Sequence, residues 1–355
     1  MNESKNGNGI DYLIRLNEAH SSEFVSPEMT LARRQYRAKH PTEIGVLKCM
    51  DGRLHLPVMT NTALGIIQPW RNLGGRFDLG WYGFALSIKG WVDYAIGRGR
   101  DVLIIVTYHF AKGNSHRGCR GFNYDVEAAK AFTSRLKKQF DRVFGKGTVY
   151  AIQCGIETDS DALILHGEHG EIADLSLLED FSEPRLEQLI RELYPDMPEA
   201  IAKDLLPLAC GNVNHVAEVK DSNRPIADVE HKEWVLALGR GFDWLHLINT
   251  GLIVGPFDPD FAGAIEKATL ILESNLKEGR IDEKSGVVLM TSAPYREASG
   301  PEPRLAEEKT RFLMDFALGV IETRVPKLIS HISRVSTTVD MNTRRLQLIE
   351  RFDKK

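Results

Sequence analysis

The chain has 355 residues, of which 43% are hydrophobic and 26% charged, and its formal net charge is −4, a composition typical of a soluble globular protein. The negative charge gives no reason to expect nucleic acid or an anionic membrane as a partner. No apolar run approaches the roughly 18 residues of a membrane-spanning helix, and the N-terminus lacks the apolar core of a signal peptide. Four cysteines in so long a chain do not make a disulfide framework, so we expect a cytoplasmic protein with free or metal-bound thiols.

The pattern of hydrophobic residues predicts an α/β fold. Residues 10–40 are predicted to be helical, and the run GVLKCM that begins at Gly45 is predicted to be the first core strand. The predicted elements that follow are a helix at 83–99, a strand at 100–110, a helix at 124–144 and a strand at 147–157. The VLIIV run in the second strand has the β-branched content of a strand buried on both faces. We therefore expect a mainly parallel β-sheet flanked by helices.

Two pairs of similar segments predict an internal repeat. NTALGIIQPW is similar to NTGLIVGPF, and LIIVTYHFAKG is similar to VVLMTSAPYRE. The two offsets are nearly equal, 188 residues from Asn61 to Asn249 and 184 residues from Thr107 to Thr291. Chance similarity between two α/β segments is the alternative explanation. The offsets favour residues 230–355 as a diverged copy of the first half.

The first predicted strand ends in an unusual set of side chains. Cys49, Asp51 and Arg53 occupy alternate positions of CMDGR, and alternate residues of an extended chain point to the same side. A thiolate, a carboxylate and a fixed cation together suggest a metal site with its own ion pair. A half-buried cysteine beside a surface ion pair is the alternative interpretation.

Two further side chains fit a metal site of the Cys2His type, which keeps its fourth position for water when it is catalytic. His109 ends the strand DVLIIVTYHF, and ligands gather at the carboxyl ends of parallel strands. Cys119 follows in a loop with Gly118 and Gly121, which allow tight turns. His116, three residues before Cys119, is the alternative imidazole ligand. The strand end fixes the direction of His109, so we favour His109.

These motifs resemble the β-class carbonic anhydrases. CMDGR matches the Cys-x-Asp-x-Arg pattern of that family, RNLGG at 71–75 matches its Arg-Asn-x-Gly segment, and IIVTYH matches its strand ending in histidine. Common members have His-x-x-Cys, whereas His109 and Cys119 are ten residues apart here. That longer spacing, the segment IETDSDALILHG and the decayed second copy are similar to a divergent branch, the carboxysome shell carbonic anhydrases.

The resemblance implies a zinc enzyme that hydrates CO2 reversibly to bicarbonate by metal-bound hydroxide. It implies one Zn2+ per chain, held by Cys49, His109 and Cys119. Asp51 would accept a hydrogen bond from the proton of the hydroxide and orient the hydroxide toward CO2, and Arg53 would hold Asp51 ionised. A homo-oligomer, a dimer or larger, and a location in the cytoplasm or in a carboxysome-like microcompartment with carboxysome proteins as partners are also expected.

Three residues are weaker candidates for binding substrate. Phe77 and Tyr82 would supply an apolar wall for CO2, although aromatic residues before a helix often belong simply to the core. Gln68 would be a polar contact for bicarbonate, because a polar residue within an apolar run needs a partner. A core amide with satisfied hydrogen bonds is the alternative for Gln68.

The repeat and the motifs together predict a fused pair of domains. Ala293 and Pro294 stand where His109 and Phe110 stand in the first copy, and no cysteine follows Cys210, so the second copy is expected to lack metal ligands. A fused copy of this kind forms an internal pseudo-dimer. The predicted boundaries are a helical arm at 1–44, a zinc-binding catalytic domain at 45–169, a helical connecting insertion at 170–229 and the degenerate copy at 230–355.

Two other functions fit the same residues. Relatives of the β-class fold hydrolyse carbonyl sulfide or carbon disulfide with a similar ligand set. The second alternative is a scaffold or microcompartment component that zinc stabilises without catalysis, although a purely structural site normally closes with four protein ligands.

Overall fold

The protein is described here by a computed structural model that covers residues 9–178, 182–245, 247–282 and 286–354. This part of the chain divides into two compact units, each built around its own β-sheet. The six-stranded unit comprises Leu31–Cys49 and Arg53–Glu230, and the five-stranded unit comprises Met1–Thr30, Met50–Gly52 and His231–Lys355. The predicted arm at 1–44 contributes to both units, and its residues 1–8 lie outside the described part. Within the described residues, no helix combines the length and the apolar character needed to cross a membrane.

The sheet of the six-stranded unit is mostly parallel, as the hydrophobic pattern predicts. Its strands, in spatial order, are β2 (Ile67–Asn72), β1 (Glu43–Cys49), β3 (Val102–Phe110), β4 (Val149–Glu157), β5 (Ala162–His166) and β6 (Ile172–Asp174). The first four are parallel, and β5 and β6 continue the sheet antiparallel. The central position of β3 explains why its VLIIVTYH run is buried on both faces.

The parallel strands of this sheet are connected by the helices α3 (Leu56–Met59), α4 (Tyr82–Ile96) and α5 (Val126–Phe144). The helix α2 (Pro27–Lys39) precedes β1, and α6 (Glu183–Leu193), α7 (Glu199–Asp221) and α8 (Ile226–Val229) follow β6. The helix α5 is the crossover from β3 to β4, and it begins where the Asp125 side chain accepts a hydrogen bond from the backbone N–H of Ala128 at 2.9 Å. Such a crossover brings both strand ends to the same edge of the sheet.

The region 170–229 was predicted to be a helical insertion with no strand in the sheet, and the structure differs on this point. Its strand β6 is the edge of the six-stranded sheet, and α7 is hydrogen-bonded to the same unit through Asn212. The Asn212 side chain accepts from Leu163 N and donates to Met59 O and Asp161 O, each at 2.9 Å. A three-residue strand has too short a pattern to be recognised from its sequence.

The five-stranded unit repeats the topology of the first sheet. Its strands, in spatial order, are β8 (Gly251–Val254), β7 (Val235–Gly239), β9 (Val287–Tyr295), β10 (Ile332–Asp340) and β11 (Leu346–Phe352), and its helices are α1 (Gly9–Val25), α9 (Phe261–Lys277) and α10 (Glu302–Arg324). The first four strands are parallel and the last is antiparallel, as in β2, β1, β3, β4 and β5. The helix α1 packs Ile10 and Leu13 into the core of this unit.

The repeated residues occupy corresponding places in the two sheets. Asn61 and Asn249 both have a positive φ, 47° and 58°, in the turn that precedes an edge strand. Thr107 and Thr291 lie on the two central strands β3 and β9. Asparagine tolerates the left-handed conformation better than most residues, which explains why these turns share it. The sequence repeat therefore coincides with two sheets of the same strand order.

Two helical glycines give a test of the packing. A Cβ atom at Gly211 in α7 would lie 2.0 Å from the backbone oxygen of Thr60, whereas a Cβ atom at Gly319 in α10 would meet nothing within 4 Å. We expect Gly211→Ala to lower the free energy of unfolding by about 1–3 kcal/mol through overpacking. Gly319→Ala should raise it by up to about 1 kcal/mol, because alanine favours the helix. Urea denaturation of both variants measures whether the free energy of unfolding falls in Gly211→Ala and rises in Gly319→Ala. A Gly211→Ala variant more stable than the wild type would contradict this packing.

Candidate metal centre

Three predicted ligands come together within the six-stranded unit. One ligand atom each of Cys49, His109 and Cys119 lies within 4.8 Å of the others, and all three residues are at most 5% exposed. The Sγ atoms of Cys49 and Cys119 are 4.0 Å apart. This group could hold a metal ion.

The sheet fixes two of the three side chains. Cys49 is the last residue of β1, where it pairs with Asn72 of β2, and His109 is the penultimate residue of β3, where it pairs with Ile156 of β4. The hydroxyl of Thr107 donates to the carbonyl of Leu47 at 2.8 Å and ties the two strands together just before the site. Parallel strands therefore deliver a thiol and an imidazole to one edge, as the sequence predicts.

Cys119 reaches the site on a loop that the β4–β5 turn holds in place. The buried carboxylate of Glu157 accepts hydrogen bonds from the backbone of Lys112 and Ser160, both at 2.9 Å. Arg117 donates to both oxygens of Asp159, at 2.9 and 2.8 Å. Burial alone would raise the pKa of Asp159, but its hydrogen bonds from Arg117 and the Gly113 backbone lower that pKa overall. The sequence prediction missed Glu157 because no local pattern marks a strand-terminal carboxylate as a loop anchor.

Glycines allow the loops around the site to approach one another. A Cβ atom at Gly121 would lie 2.6 Å from the Cα atom of Gly74, so the loop after Cys119 touches the RNLGG loop through backbone atoms. Gly75 has a φ of 63°, and a Cβ atom there would lie 3.5 Å from Cys49 N. Both loops therefore pack against the residues that carry the two thiols.

The sulfur spacing is compatible with a shared metal ion and excludes a disulfide. Two thiolates bound to a tetrahedral Zn2+ by bonds of about 2.3 Å lie about 3.8 Å apart, whereas disulfide sulfurs lie about 2.0 Å apart. The 4.0 Å separation is close to the first distance, and it is also a normal contact distance between two packed thiols. Within the described residues, the group has no fourth Cys, His, Asp or Glu member.

The other two cysteines, Cys154 and Cys210, lie in surroundings that disfavour the thiolate form. Burial raises the pKa of the Cys154 thiol to about 12, and burial also raises the pKa of Cys210. The Cys154 thiol donates to the backbone oxygen of Gly155 at 3.3 Å. A thiol with so high a pKa stays protonated at neutral pH and is a poor metal ligand.

The predicted ion-pair residues are both buried. Arg53 donates from Nη1 to Val229 O at 2.7 Å and from Nη2 to Arg117 O at 2.8 Å, so it also ties the loop that carries Cys119. Asp51 belongs to the five-stranded unit, where its Oδ2 atom lies 3.8 Å from Nε2 of His231. The mutual role of Asp51 and Arg53 stays a prediction.

The remaining candidates are spread over different environments. His116 is exposed and its ring centre lies 4.9 Å from that of Tyr124. Phe77 is buried against Phe84, with ring centres 4.8 Å apart, and Tyr82 is 74% exposed at the start of α4. Gln68 lies on the edge strand β2, where its amide nitrogen donates to Pro69 O at 3.2 Å. The roles of Phe77, Tyr82 and Gln68 in binding substrate stay predictions.

Sequence reasoning missed a second cluster, which lies in the five-stranded unit. Asp51, His231 and Glu233 place one ligand atom each within 4.8 Å of the others. The region after residue 230, which has no cysteine, therefore supplies two of the three side chains in this cluster. A pairing between residues some 180 positions apart in the chain has no local sequence signal.

Comparisons with known proteins identify no family for this chain. A scan against protein-family models and a search of curated proteins each returned no match. The functional interpretation therefore depends on the residues and their geometry.

Proposed function

We propose that the protein is a zinc-dependent carbonic anhydrase of the β class, which hydrates CO2 reversibly to bicarbonate. The observation that carries the proposal is the approach of Cys49, His109 and Cys119, with their sulfurs 4.0 Å apart, at the carboxyl edge of a parallel sheet. The ligand types and their order along the chain match the motifs of that family. A set of three protein ligands is typical of catalytic rather than structural zinc sites.

The bound Zn2+ would lower the pKa of a coordinated water toward about 7 and so supply hydroxide at neutral pH, an effect for which carbonic anhydrase is the standard example. The chain's own residues provide the rest of the chemistry. By the resemblance to that family, Asp51 would accept a hydrogen bond from the nucleophile and orient it toward CO2. Arg53 donates to two backbone carbonyls. By the same resemblance it would supply the positive charge that keeps Asp51 ionised.

The five-stranded unit is a diverged copy of the six-stranded one, fused as half of an internal pseudo-dimer. The shared strand order and the matching asparagine turns support this origin. Continuing the register of β1 and β3 places Gly239 of β7 in the position of Cys49, and a Cβ atom there would lie 2.0 Å from Ser292 O. Ala293 stands in the position of His109. The copied site therefore has no room for a thiolate and has no imidazole.

Metal removal tests the proposal directly. We expect purified protein to contain about one zinc per chain and to accelerate CO2 hydration in a stopped-flow assay. Removing the metal with a chelator should abolish the acceleration, because no hydroxide then forms near pH 7. Restoring Zn2+, with Mg2+ as the control ion, should restore it.

The same preparation separates the alternatives. Zinc-loaded protein that is inactive toward CO2 but hydrolyses carbonyl sulfide or carbon disulfide would contradict the choice of substrate. Zinc-loaded protein that is inactive toward all three would support the scaffold alternative. Homo-oligomer formation, carboxysome partners and encapsulation stay predictions from the resemblance.

A further inference from the structure

The three candidate metal ligands are buried, so an ion reaches them only when part of the surrounding chain moves. Cys49, His109 and Cys119 are 5%, 2% and 3% exposed. Cys49 and His109 lie on β1 and β3, which are paired with neighbouring strands as far as these residues. Cys119 lies outside the sheet, between two single-turn 3-10 helices, Ser115–Arg117 and Arg120–Phe122. A movement that opens the site therefore involves Cys119 and the loop that carries it.

The chain on the two sides of Cys119 is held in different ways. The segment 112–118, called the strap below, contains no apolar side chain, and its residues 112–116 are all exposed. On the other side, Phe122 is 9% exposed and packs against Phe132, with ring centres 5.6 Å apart. Segments with few buried apolar contacts open locally at a lower cost in free energy than packed segments do. We therefore expect local opening on the strap side of Cys119.

One carboxylate fastens the strap near both of its ends. Arg117 donates from Nε to Asp159 Oδ1 at 2.9 Å and from Nη2 to Asp159 Oδ2 at 2.8 Å. Gly113 N donates to the same Oδ2 atom at 2.9 Å. Bidentate pairs between arginine and a carboxylate are among the strongest side-chain hydrogen bonds. Arg224 donates to the backbone oxygen of Asp159 at 2.6 Å and so fixes the turn that carries this carboxylate.

We propose that the Arg117–Asp159 pair is the latch of a gate for a divalent metal ion such as Zn2+. When the pair is closed, the strap holds Cys119 beside the two ligands on the sheet. When the pair opens, the strap leaves the β4–β5 turn, and the Cys119 side chain moves away from Cys49 and His109 so that an ion can pass. Arg117 and Asp159 are thus positioning residues that set the rates of metal exchange. The inference rests on the metal site of the proposed function and not on its substrate.

Asp159→Asn tests the latch, because asparagine keeps the shape of the side chain and removes its charge. Release of zinc from the loaded protein to an excess of chelator should be about 10-fold or more faster than in the wild type, in line with the loss of a charge-assisted pair. Entry of Zn2+ into the metal-free protein, followed with a fluorescent zinc indicator, should also be faster. The equilibrium affinity should therefore fall by a smaller factor than release accelerates. A residue that only stabilised the loaded state would raise the release rate and Kd equally and leave entry unchanged.

Thiol reactivity provides a second readout, which needs no metal. In metal-free Asp159→Asn, Cys119 should react with iodoacetamide about 10-fold faster than in the wild type, because it spends more time outside its buried position. The rate for Cys49 should change less, since β1 stays within the sheet. Peptide mapping by mass spectrometry assigns the alkylation to each cysteine.

Arg117→Gln breaks the same pair from the other side and should behave like Asp159→Asn. Arg117→Lys should lie between Arg117→Gln and the wild type, because lysine keeps the charge but loses the bidentate geometry. Agreement between the two sides of the pair also separates loss of the latch from misfolding of a single variant, which circular dichroism checks.

Asp141→Asn is the matched control. Asp141 Oδ2 lies 3.0 Å from Lys137 Nζ within α5, and the two side chains are 19% and 14% exposed, against 22% and 14% for Asp159 and Arg117. This pair has a similar environment but does not touch the strap. Both zinc rates in Asp141→Asn should therefore stay within about twofold of the wild type.

The outcomes separate the gate from the proposed function. Unchanged release and entry rates in Asp159→Asn and Arg117→Gln would overturn the gate, and so would faster release with unchanged entry and an equal rise in Kd. Zinc-loaded protein that shows the expected exchange rates but hydrates no CO2 would support the gate and contradict the proposed function. Wild-type protein that binds no zinc would overturn the metal centre, the gate and the proposed function together.

Discussion

His109→Ala is expected to lose nearly all bound zinc, whereas His116→Ala should keep it. His109 lies 2% exposed at the end of β3 beside the two thiols, and His116 is exposed. If the apparent ~10–16 kcal/mol of a four-ligand zinc site is shared evenly, one ligand contributes about 2.5–4 kcal/mol, or about 70- to 900-fold in affinity. Metal analysis after gel filtration and a competitive chelator titration measure the loss.

Removing a buried ring also leaves a cavity, so folding needs its own control. The variant His109→Cys returns a ligating atom to the same strand end and should recover part of the zinc affinity that His109→Ala loses. Circular dichroism on all three variants checks that the secondary structure is intact. Zinc retained by His109→Ala and lost by His116→Ala would reverse the ligand assignment.

The second large effect is expected for Asp51→Asn, which should keep zinc but lose most turnover. Asparagine preserves the shape of the side chain, yet it cannot act as an ionised acceptor that orients the nucleophile. Positioned acid–base groups contribute typically 10²–10⁴-fold, so we expect kcat/KM to fall by about 100-fold or more. Stopped-flow CO2 hydration, expressed per bound zinc, measures the effect.

Asp204→Asn is the matched control for Asp51→Asn. Asp204 is buried to a similar degree, 2% exposed against 3%, and it accepts hydrogen bonds from His40 and from the backbone of Thr42. Its replacement should lower stability without lowering turnover per bound zinc. Full turnover in Asp51→Asn would remove Asp51 from the mechanism, and equal losses in both variants would indicate a general effect of buried charge.

Local patterns determined the elements around the candidate centre. The periodicity of residues 83–157 predicts a helix, a strand, a helix and a strand, and the structure has α4, β3, α5 and β4 there with boundaries shifted by a few residues. These segments are long and strongly patterned, so their local preference agrees with their tertiary environment. The sequence analysis did not predict β2, whose sequence contains Pro69; the strand tolerates this proline because it lies at the sheet edge.

The sequence by itself determined which side chains have metal and acid–base chemistry, because thiols, imidazoles and carboxylates are recognisable by type and by their place at strand ends. Only the tertiary structure decided which of them meet. It brought Cys119 to Cys49 through a loop anchored by Glu157, left His116 exposed, and brought His231 and Glu233 to Asp51. These contacts join residues that are between about 40 and 180 positions apart in the chain. Hydrophobic periodicity carries no information over such separations.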